Sequence, residues 1–499
     1  MTEEATGREA EVLRARRASR ERLGDKAFAL TLEQALGARE PTSTSTIRER
    51  HSGLPSETAT DDVATVAGRV VLRRKFGKLV FLVVRDRDGE VQLVCDRGAL
   101  DDAVWALVDE IDLGDIIGAT GRIGTTRKGE LSIFVDRLAM LTKALRPLPE
   151  KWHGLRDPDL QQRQRYLHLA TDPTVRRYTM ARATVLRTLR SELDARGFVE
   201  VETPVLQNVA GGAMARPFTT HHNVLDIDLK LRISLELYLK RLLVGGLERV
   251  YEIGRTFRNE GIDREHNPEF TMVELYQAFA DYEDIMRLTE ELLTASASAV
   301  RGGLVFEFRG RELDLQPPWR RVTVLDSVSG VVGEEVALDR TDLGKLAERH
   351  DVRVDEAWGP GKIALELFEK LVEPTLWEPT FVCDFPREVS PLARPHRADR
   401  NLTEHFDVVI GGVEQGTAFS ELTDPDEQRA KFELQAAERA AGAEETHPYD
   451  EDFLVALEHG MPPAGGVGIG IDRLLLVLTD APSLRDLILF PHHRPEGGG

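Results

Sequence analysis

From Val63 the hydrophobic pattern takes a period of two and holds it for about eighty residues, which confines this part of the chain to β-structure. In "TVAGRVVLRRKFGKLVFLVVRDRDGEVQLVCD" apolar and polar residues alternate or run β-branched, with "RDGE" as a hairpin turn. "LGDIIGATGRIGTTRKGELSIFVDRLAMLTK" repeats the pattern with "RKGE" as a second turn. Four or five strands with a helical stretch between them suit a small Greek-key barrel of the OB type, which commonly binds single-stranded nucleic acid on its sheet face. An SH3-like barrel or a plain β-sandwich would show the same alternation.

Such a barrel uses only residues 61–145 of 499, so two or three domains are expected. Residues 1–60 read as a charged helical arm followed by the Pro-, Ser- and Thr-rich connector "REPTSTSTIRERHSG". The arm carries "RARRASRER", either a basic patch or a solvated helix face. "LRPLPEKWHGL" (145–155) reads as a stiff connector, and 146–499 as a long α+β region. Within it, "TVLRTLRSELDARGFVEVETPVL" predicts a helix with Leu186, Leu189 and Leu193 on its apolar face, stopped at Gly197.

A net charge of −20 argues against a general DNA-coating protein, though local patches decide affinity. No run of about 18 apolar residues supports a membrane span. The acidic start lacks the pattern of a secretory signal, and Cys95 and Cys383 lie far apart. A cytoplasmic protein is expected.

Three clusters carry chemistry. "RVYEIGRTFRNE", "GIDREHN" and "PEFTMVELY" predict a strand, a loop and a returning strand. Alternation puts Arg258 and Glu260 on one face of the first strand, and Phe270, Glu274 and Tyr276 on one face of the second. His266 arrives from the loop. A nucleoside triphosphate needs such a set: a guanidinium for phosphate, a ring for the base, an acceptor for an exocyclic amine. A salt-bridged surface hairpin with a core phenylalanine would use the same residues. In "GGVGIGIDRLLLVL" (465–478) no βαβ unit follows, which excludes a dinucleotide fingerprint. A glycine-rich strand approaching a ligand, with Arg473 opening the next helix, remains. In "FDVVIGGVEQGTAFSEL" a turn at the glycine pair would let Asp407 and Glu414 face each other and hold Mg²⁺ through oxygen; a solvated acidic edge is the alternative. "HHNVLD" and "FPHHRP" lack the further residues that an acyltransferase or metal site requires.

With these clusters in order, the chain resembles the class II aminoacyl-tRNA synthetases of the OB-fold-bearing subgroup, and within it the lysyl-tRNA synthetases. The likeness runs from about residue 60 to 495 through "RQRYLHL", "GFVEVETPVL", "GGAMARPF", "ELYLKRLLVGG", "FRNEG", "HNPEFTMVELYQAFADY", "FSELTDP", "DEDFLVALEHGMPP" and "GIGIDRLLLVLTD". It implies an α+β fold: an N-terminal OB-fold barrel binding the anticodon (61–145), then a catalytic domain built on an antiparallel six-stranded sheet flanked by helices (146–499). It also implies a homodimer joined around "RGFVEVETP". ATP, L-lysine and tRNA(Lys) would be the substrates and Mg²⁺ the cofactor.

By the family's pattern Arg258 grips the α-phosphate and the amino-acid carboxylate, Phe270 stacks under adenine, and Glu260 reads the adenine amine. Arg473, with His266 nearby, serves the γ-phosphate. Asp407 and Glu414 would bind Mg²⁺. Glu421 and Tyr276 would meet the lysine ε-ammonium, Glu236 and Gly212 the α-amino group, and Thr417 the carboxylate. Phe81, Gln92 and Glu130 match anticodon contacts. Aspartyl relatives place an arginine where Glu421 stands; a charge pair at about 4 Å is worth roughly 4 kcal/mol at an effective dielectric near 20, ample for discrimination.

The chain departs from the pattern at Thr417 (often Asn), Glu265 (often Arg), Ser234-Leu235 (usually Ala-Pro), Asp407 (commonly Glu) and Met214 (usually smaller). Since several of these touch the lysine pocket, a paralogue with weak or altered activity is the second reading. It would be a regulatory nucleotide or tRNA binder, or a lysine ligase on another acceptor.

Overall fold

The computed structural model describes residues 8–149, 155, 157–355, 358–440 and 446–494. Most of the "PEKWHGL" half of the expected connector and the terminal glycines lie outside the described residues. The chain forms two compact units, Met1–Arg156 and Asp157–Gly499.

In the first unit, β1 (Ala59–Phe76), β2 (Leu79–Arg85), β3 (Glu90–Asp96), β4 (Ile116–Thr125) and β5 (Leu131–Thr142) pair in the order β1-β2-β3-β5-β4, and β4 returns to β1. β1 is long enough to serve both neighbours because it bends at an irregularity between Val70 and Leu72. The β2–β3 turn is held by the Asp86 carboxylate, which accepts from the N–H groups of Asp88 and Gly89. Alternation sends Val66, Val70, Val80, Leu82, Leu93, Ile117 and Ile133 inward. The helix Asp102–Glu110, capped by Asp101, links β3 to β4.

Two expectations for the first sixty residues are corrected. The connector contains a helix, Thr44–His51: the Ser43 side chain accepts from the Thr46 N–H, and Arg48, Arg50 and His51 suit its C-terminal dipole. The arginine cluster of the first helix (Arg8–Leu23) is also partly structural. Arg16 is buried and donates to the carbonyls of Leu113, Ala144 and Arg146, while Arg22 pairs with Glu110. Arg14, Arg17 and Arg20 remain exposed.

The second unit is built on an eight-stranded sheet. Its members are β6 (Val199–Glu200), β10 (Arg249–Phe257), β11 (Glu269–Ala278), β14 (Arg320–Thr323), β15 (Thr380–Cys383), β16 (His405–Ile410), β17 (Val413–Ser420) and β18 (Ala464–Gly470). The short strands β7 (Leu206–Gln207), β8 (Thr219–His222) and β9 (Ile227–Leu231) form a separate sheet, and β12 (Val305–Phe308) pairs with β13 (Arg311–Asp314). The order is β14-β15-β16-β17-β18-β11-β10-β6. The expected six antiparallel strands are the inner six; β14 and β6 extend each edge in parallel.

One face of this sheet packs on the helices Pro173–Ala195, Tyr282–Arg301 and Ile471–Thr479, through Val185, Leu189, Leu193, Leu292 and Leu475 against Val273, Leu275, Val467 and Ile469. In the first of these helices Val185 takes the fully buried place expected of Leu186, which is only partly buried. Gly197 follows at φ +76°, a conformation that ends the helix at little cost for glycine alone. The opposite face of the sheet carries the site.

Candidate active site

Period-two alternation makes this face. On β11, Phe270, Met272, Glu274 and Tyr276 share one side; on β16, His405 and Asp407; on β17, Thr417 and Phe419. Their neighbour β18 is the glycine-rich segment, with Gly470, Gly468 and Gly466 opposite Met272, Glu274 and Tyr276. A Cβ on Gly466 would fall 2.3 Å from the Tyr276 ring and 2.6 Å from Glu421 Oε1. Packing therefore requires glycine at 466, whereas a Cβ at Gly468 would meet the end of Met272 at 3.0 Å and one at Gly470 would make ordinary contacts. Above it lies a cavity of about 430 Å³.

Arg258, Glu260, His266, Phe270 and Arg473 line one region of that cavity. β10 stops at Phe257, so Arg258 and Glu260 belong to the loop and not to the strand as alternation suggested. The chain turns there because the Arg258 N–H donates to Pro268 O and the Glu260 N–H to Arg258 O. The Arg258 guanidinium stands 5.1 Å from the centre of the Phe270 ring. Arg473 pairs with Glu414 at 3.1 Å and donates to His266 Nε2 at 3.2 Å; His266 is in turn held by Asp263 at 2.8 Å. Glu265 turns to Arg309, 3.0 Å away, which removes its charge from the arginine pair. Asp472 anchors the start of the Arg473 helix by accepting from the Thr271 N–H and pairing with Arg182.

One end of the cavity is acidic: Glu236 and Glu274 line it, and Glu421 pairs with Lys240 beside them. Glu236, Glu274 and Glu421 are each at most 5% exposed. Glu236 opens the helix Glu236–Val244, and one turn later Lys240 reaches back to its Oε1 at 2.5 Å and to Glu421 Oε2 at 2.5 Å. Glu274 Oε1 accepts from the Ser234 hydroxyl (2.7 Å) and the Leu235 N–H (2.9 Å); Oε2 accepts from the Tyr276 hydroxyl (3.2 Å). Burial, and then Glu236, push the Glu274 carboxyl up to about 7 against the pull of those donors. Burial also drives the Glu421 carboxyl up, which Lys240 only partly offsets. His447 borders the same end, its imidazole pushed down to about 4 by burial and by Lys240 and Arg439. Gly212, at φ +87°, lies against Ser234 and Glu236. Sequence reasoning singled out Glu236, Glu421, Tyr276 and Gly212. It passed over Lys240, an i,i+4 partner of Glu236 that reads as a solvent-facing pair, and it left Glu274 without a role.

Asp407 and Glu414 do reach one face, but not simply because the Gly411–Gly412 turn folds β16 onto β17. The register pairs Asp407 with Thr417 and Val409 with Glu414, and slips by one residue at Gln415. That bulge brings Glu414 round to the cavity. The Thr417 hydroxyl donates to Asp407, so its only proton is committed there. His405 joins the set: Nε2 lies 3.1 Å from Asp407 Oδ1, and Nδ1 lies 2.7 Å from Ser390 Oγ. Glu369 and Glu373 stand close by. Burial, then Glu414, Glu369 and Asp407, push Glu373 up to about 7. Among the described residues no three His, Cys, Asp or Glu side chains converge as a complete metal site. Two carboxylates in an acidic surround do fit a Mg²⁺ whose remaining ligands are phosphate oxygens and water.

On the barrel, Phe81 and Gln92 lie on the outer face and Glu130 just before β5. Gln92 donates to Ser132 at 2.9 Å. Phe76 packs edge-on against Phe81, ring centres 6.0 Å apart. Val94 pairs with Phe81 on one side and Phe134 on the other, which sets Phe134 in the same cross-strand row. Phe76 and Phe134 are exposed aromatics that sequence reasoning did not select, although alternation within β5 could have found Phe134.

A family described as tRNA synthetases class II (D, K and N) matches residues 157–494, and one described as OB-fold nucleic acid binding domain matches 64–141. The lysine–tRNA ligase of Moorella thermoacetica is 51% identical over 458 residues, covering 91% of this chain and 92% of the relative. That of Thermosynechococcus vestitus is 50% identical over 465 residues, covering 91% of each, and that of Oceanobacillus iheyensis 48% over 440, covering 88% and 89%. The chain belongs to the lysine–tRNA ligases, within the class II aminoacyl-tRNA synthetases.

Proposed function

We propose that this protein activates L-lysine with ATP to lysyl-adenylate and transfers the lysyl group to the 3′ end of tRNA(Lys), and that the residues described above divide the work as follows. The observation that carries the reading is the acidic end of the cavity: Glu236 and Glu274 line it with Glu421 buried beside them, and two arginines line the same cavity. An amino acid with two ammonium groups is the ligand such an end selects, while Arg258 meets its carboxylate.

Phe270 supplies the platform for adenine and Glu260 the acceptor for its amine. Arg258 leaves its place over Phe270 to span the lysine carboxylate and the α-phosphate, where charge develops as the carboxylate attacks phosphorus in line. Arg473, with His266 behind it, takes the γ-phosphate end of the leaving pyrophosphate. No side chain need remove a proton in this step, because the attacking carboxylate is already ionised. Asp407 and Glu414 would hold Mg²⁺, which supplies charge neutralisation on the phosphates when bound. His405 and Thr417 fix the Asp407 carboxylate by hydrogen bonds. Thr417 donates to the lysine carboxylate only after giving up its bond to Asp407.

The barrel reads the anticodon through Phe81, Gln92 and Glu130, with Phe134 and Phe76 extending the aromatic surface. A second copy of the chain packs on the edge beside β6, where Val199, Val205 and Leu206 are exposed. Among the described residues no helix is long and apolar enough to cross a membrane, and the cytoplasm, where its tRNA partner resides, is the proposed compartment.

The test is lysine-dependent ATP–pyrophosphate exchange compared across arginine, ornithine and aspartate. Exchange with lysine alone supports the reading; exchange favouring another amino acid, or none from folded protein, overturns it.

A further inference from the structure

Lys240 pairs with two of the three carboxylates at the acidic end of the cavity, and its relative exposure is 0%. A buried ammonium is costly to place unless its partners are charged and close. Here one Nζ lies 2.5 Å from a carboxylate on its own helix and 2.5 Å from another following β17. Those two, Glu236 and Glu421, are the carboxylates assigned to the two ends of the substrate's charge. Both Glu421 oxygens are buried, and Lys240 is their ion-pair partner.

Counting charge shows what the ammonium does. Three carboxylates and one ammonium leave two negative charges, which is the number that the α- and ε-ammonium groups of lysine neutralise. Without Lys240, three carboxylates would share one dry pocket, and one would take up a proton. If that proton settled on Glu236 or Glu421, one substrate ammonium would lose its ionised acceptor.

We propose that Lys240 is a positioning residue for amino-acid selection: its ammonium bridges Glu236 and Glu421 and keeps both as ionised acceptors for the two ammonium groups of lysine. The inference rests on the lysine-activating reading of this site and deepens it. Every group facing the cluster agrees with this role. From β11 come Glu274, whose ionised form the Ser234, Leu235 and Tyr276 donors support against burial, and the Tyr276 hydroxyl, which burial holds protonated. From the 446–450 segment comes His447, kept neutral. The helix Pro425–Ala440 adds Lys431, which donates to Ala393 O rather than to the three carboxylates. Burial opposes the Lys240 charge, but Glu236 and Glu421 outweigh it and hold its pKa at about 12. The residue thus does what a proton would do without being lost at neutral pH.

The experiment measures lysine and ATP KM by pyrophosphate exchange for wild type, K240M and K240Q between pH 6.5 and 9. For both variants the lysine KM should rise about tenfold or more over wild type at pH 7 while the ATP KM stays within about threefold. The lysine KM ratio to wild type should shrink as pH rises, because the proton that replaces Lys240 is then released. K240Q keeps a donor and nearly the length of the stem, so it serves if K240M does not fold, as judged by its melting transition. A lysine KM ratio that is the same at every pH, or one matched by the ATP KM, would mean that Lys240 only fills space, and the proposal falls. Wild type without lysine-dependent exchange would instead overturn the reading on which it rests.

Discussion

The Leu235 N–H donates to Glu274 Oε1 at 2.9 Å, a bond that a proline at position 235 could not make. The Ser234 hydroxyl reaches the same oxygen at 2.7 Å. Ser234-Leu235, read in the sequence as a departure from an expected Ala-Pro, therefore stabilises the ionised form of a buried acid with two donors. The departure lies in the sequence, but its consequence needed the position of Glu274 on the neighbouring strand.

Ser234→Ala removes one of those donors and so favours the neutral Glu274. Its carboxyl, now at about 7, should move up by about half to one pH unit. Lysine binding uses the ionised form, so activity is retained above that value and lost below it. The acid limb of kcat/KM for lysine, measured by exchange between pH 5.5 and 8.5, should shift upward in S234A. An unmoved limb would mean that Glu274 does not titrate in the step measured.

The same group makes stability depend on pH. Its folded pKa lies above the usual value near 4.5, so the folded state is favoured while Glu274 is protonated. That contribution is complete below about 4.5 and lost as pH rises through about 7. Between pH 5 and 8 the ligand-free catalytic unit should lose up to about 3 kcal/mol through this residue. Glu274→Gln should remove that part of the slope. Melting of both proteins at pH 5 and 8 checks it: parallel slopes would contradict the assignment.

Glu421→Gln leaves Lys240 with one carboxylate and takes the charge from the floor of the pocket. A charge pair at about 4 Å is worth roughly 4 kcal/mol at an effective dielectric near 20, so kcat/KM for lysine should fall by roughly a thousandfold. ATP binding, measured with a non-hydrolysable analogue, should be little changed, because Glu421 is not among the residues around Phe270 and Arg473.

Much of this site is visible in the sequence, for reasons that are local. Alternation on β11 alone places Phe270, Glu274 and Tyr276 together, and the glycines of β18 announce a close approach. Features set by register are not visible. The slip at Gln415 decides that Glu414 reaches the cavity that Asp407 lines, and nothing in "GGVEQGTAF" states which residue is left out of the ladder. The end of β10 at Phe257 depends on a bond to Pro268 across the loop. Lys240 was hidden for a different reason. A Glu–Lys pair at i,i+4 looks the same in sequence whether it faces water or a cavity, and only the arrival of Glu421 from another element makes it functional. The Thr44–His51 helix was missed because a run of Ser and Thr both caps helices and fills loops.

The barrel offers the cleanest separation of binding from chemistry. Phe81 and Phe134 stand in one cross-strand row through Val94, with Phe76 edge-on beside Phe81. Stacking of a base on an aromatic ring is worth about 1–3 kcal/mol. Phe81→Ala should therefore raise the KM for tRNA about tenfold or more, and Phe134→Ala should raise it too if the row acts as one platform. Pyrophosphate exchange needs no tRNA and proceeds in the other unit, so lysine and ATP parameters should stay at wild-type values in both variants. Charging assays beside exchange assays separate the two effects. A normal tRNA KM in F81A would remove the barrel face from the anticodon contact, and a defect in F81A alone would confine that contact to the β2 end of the row.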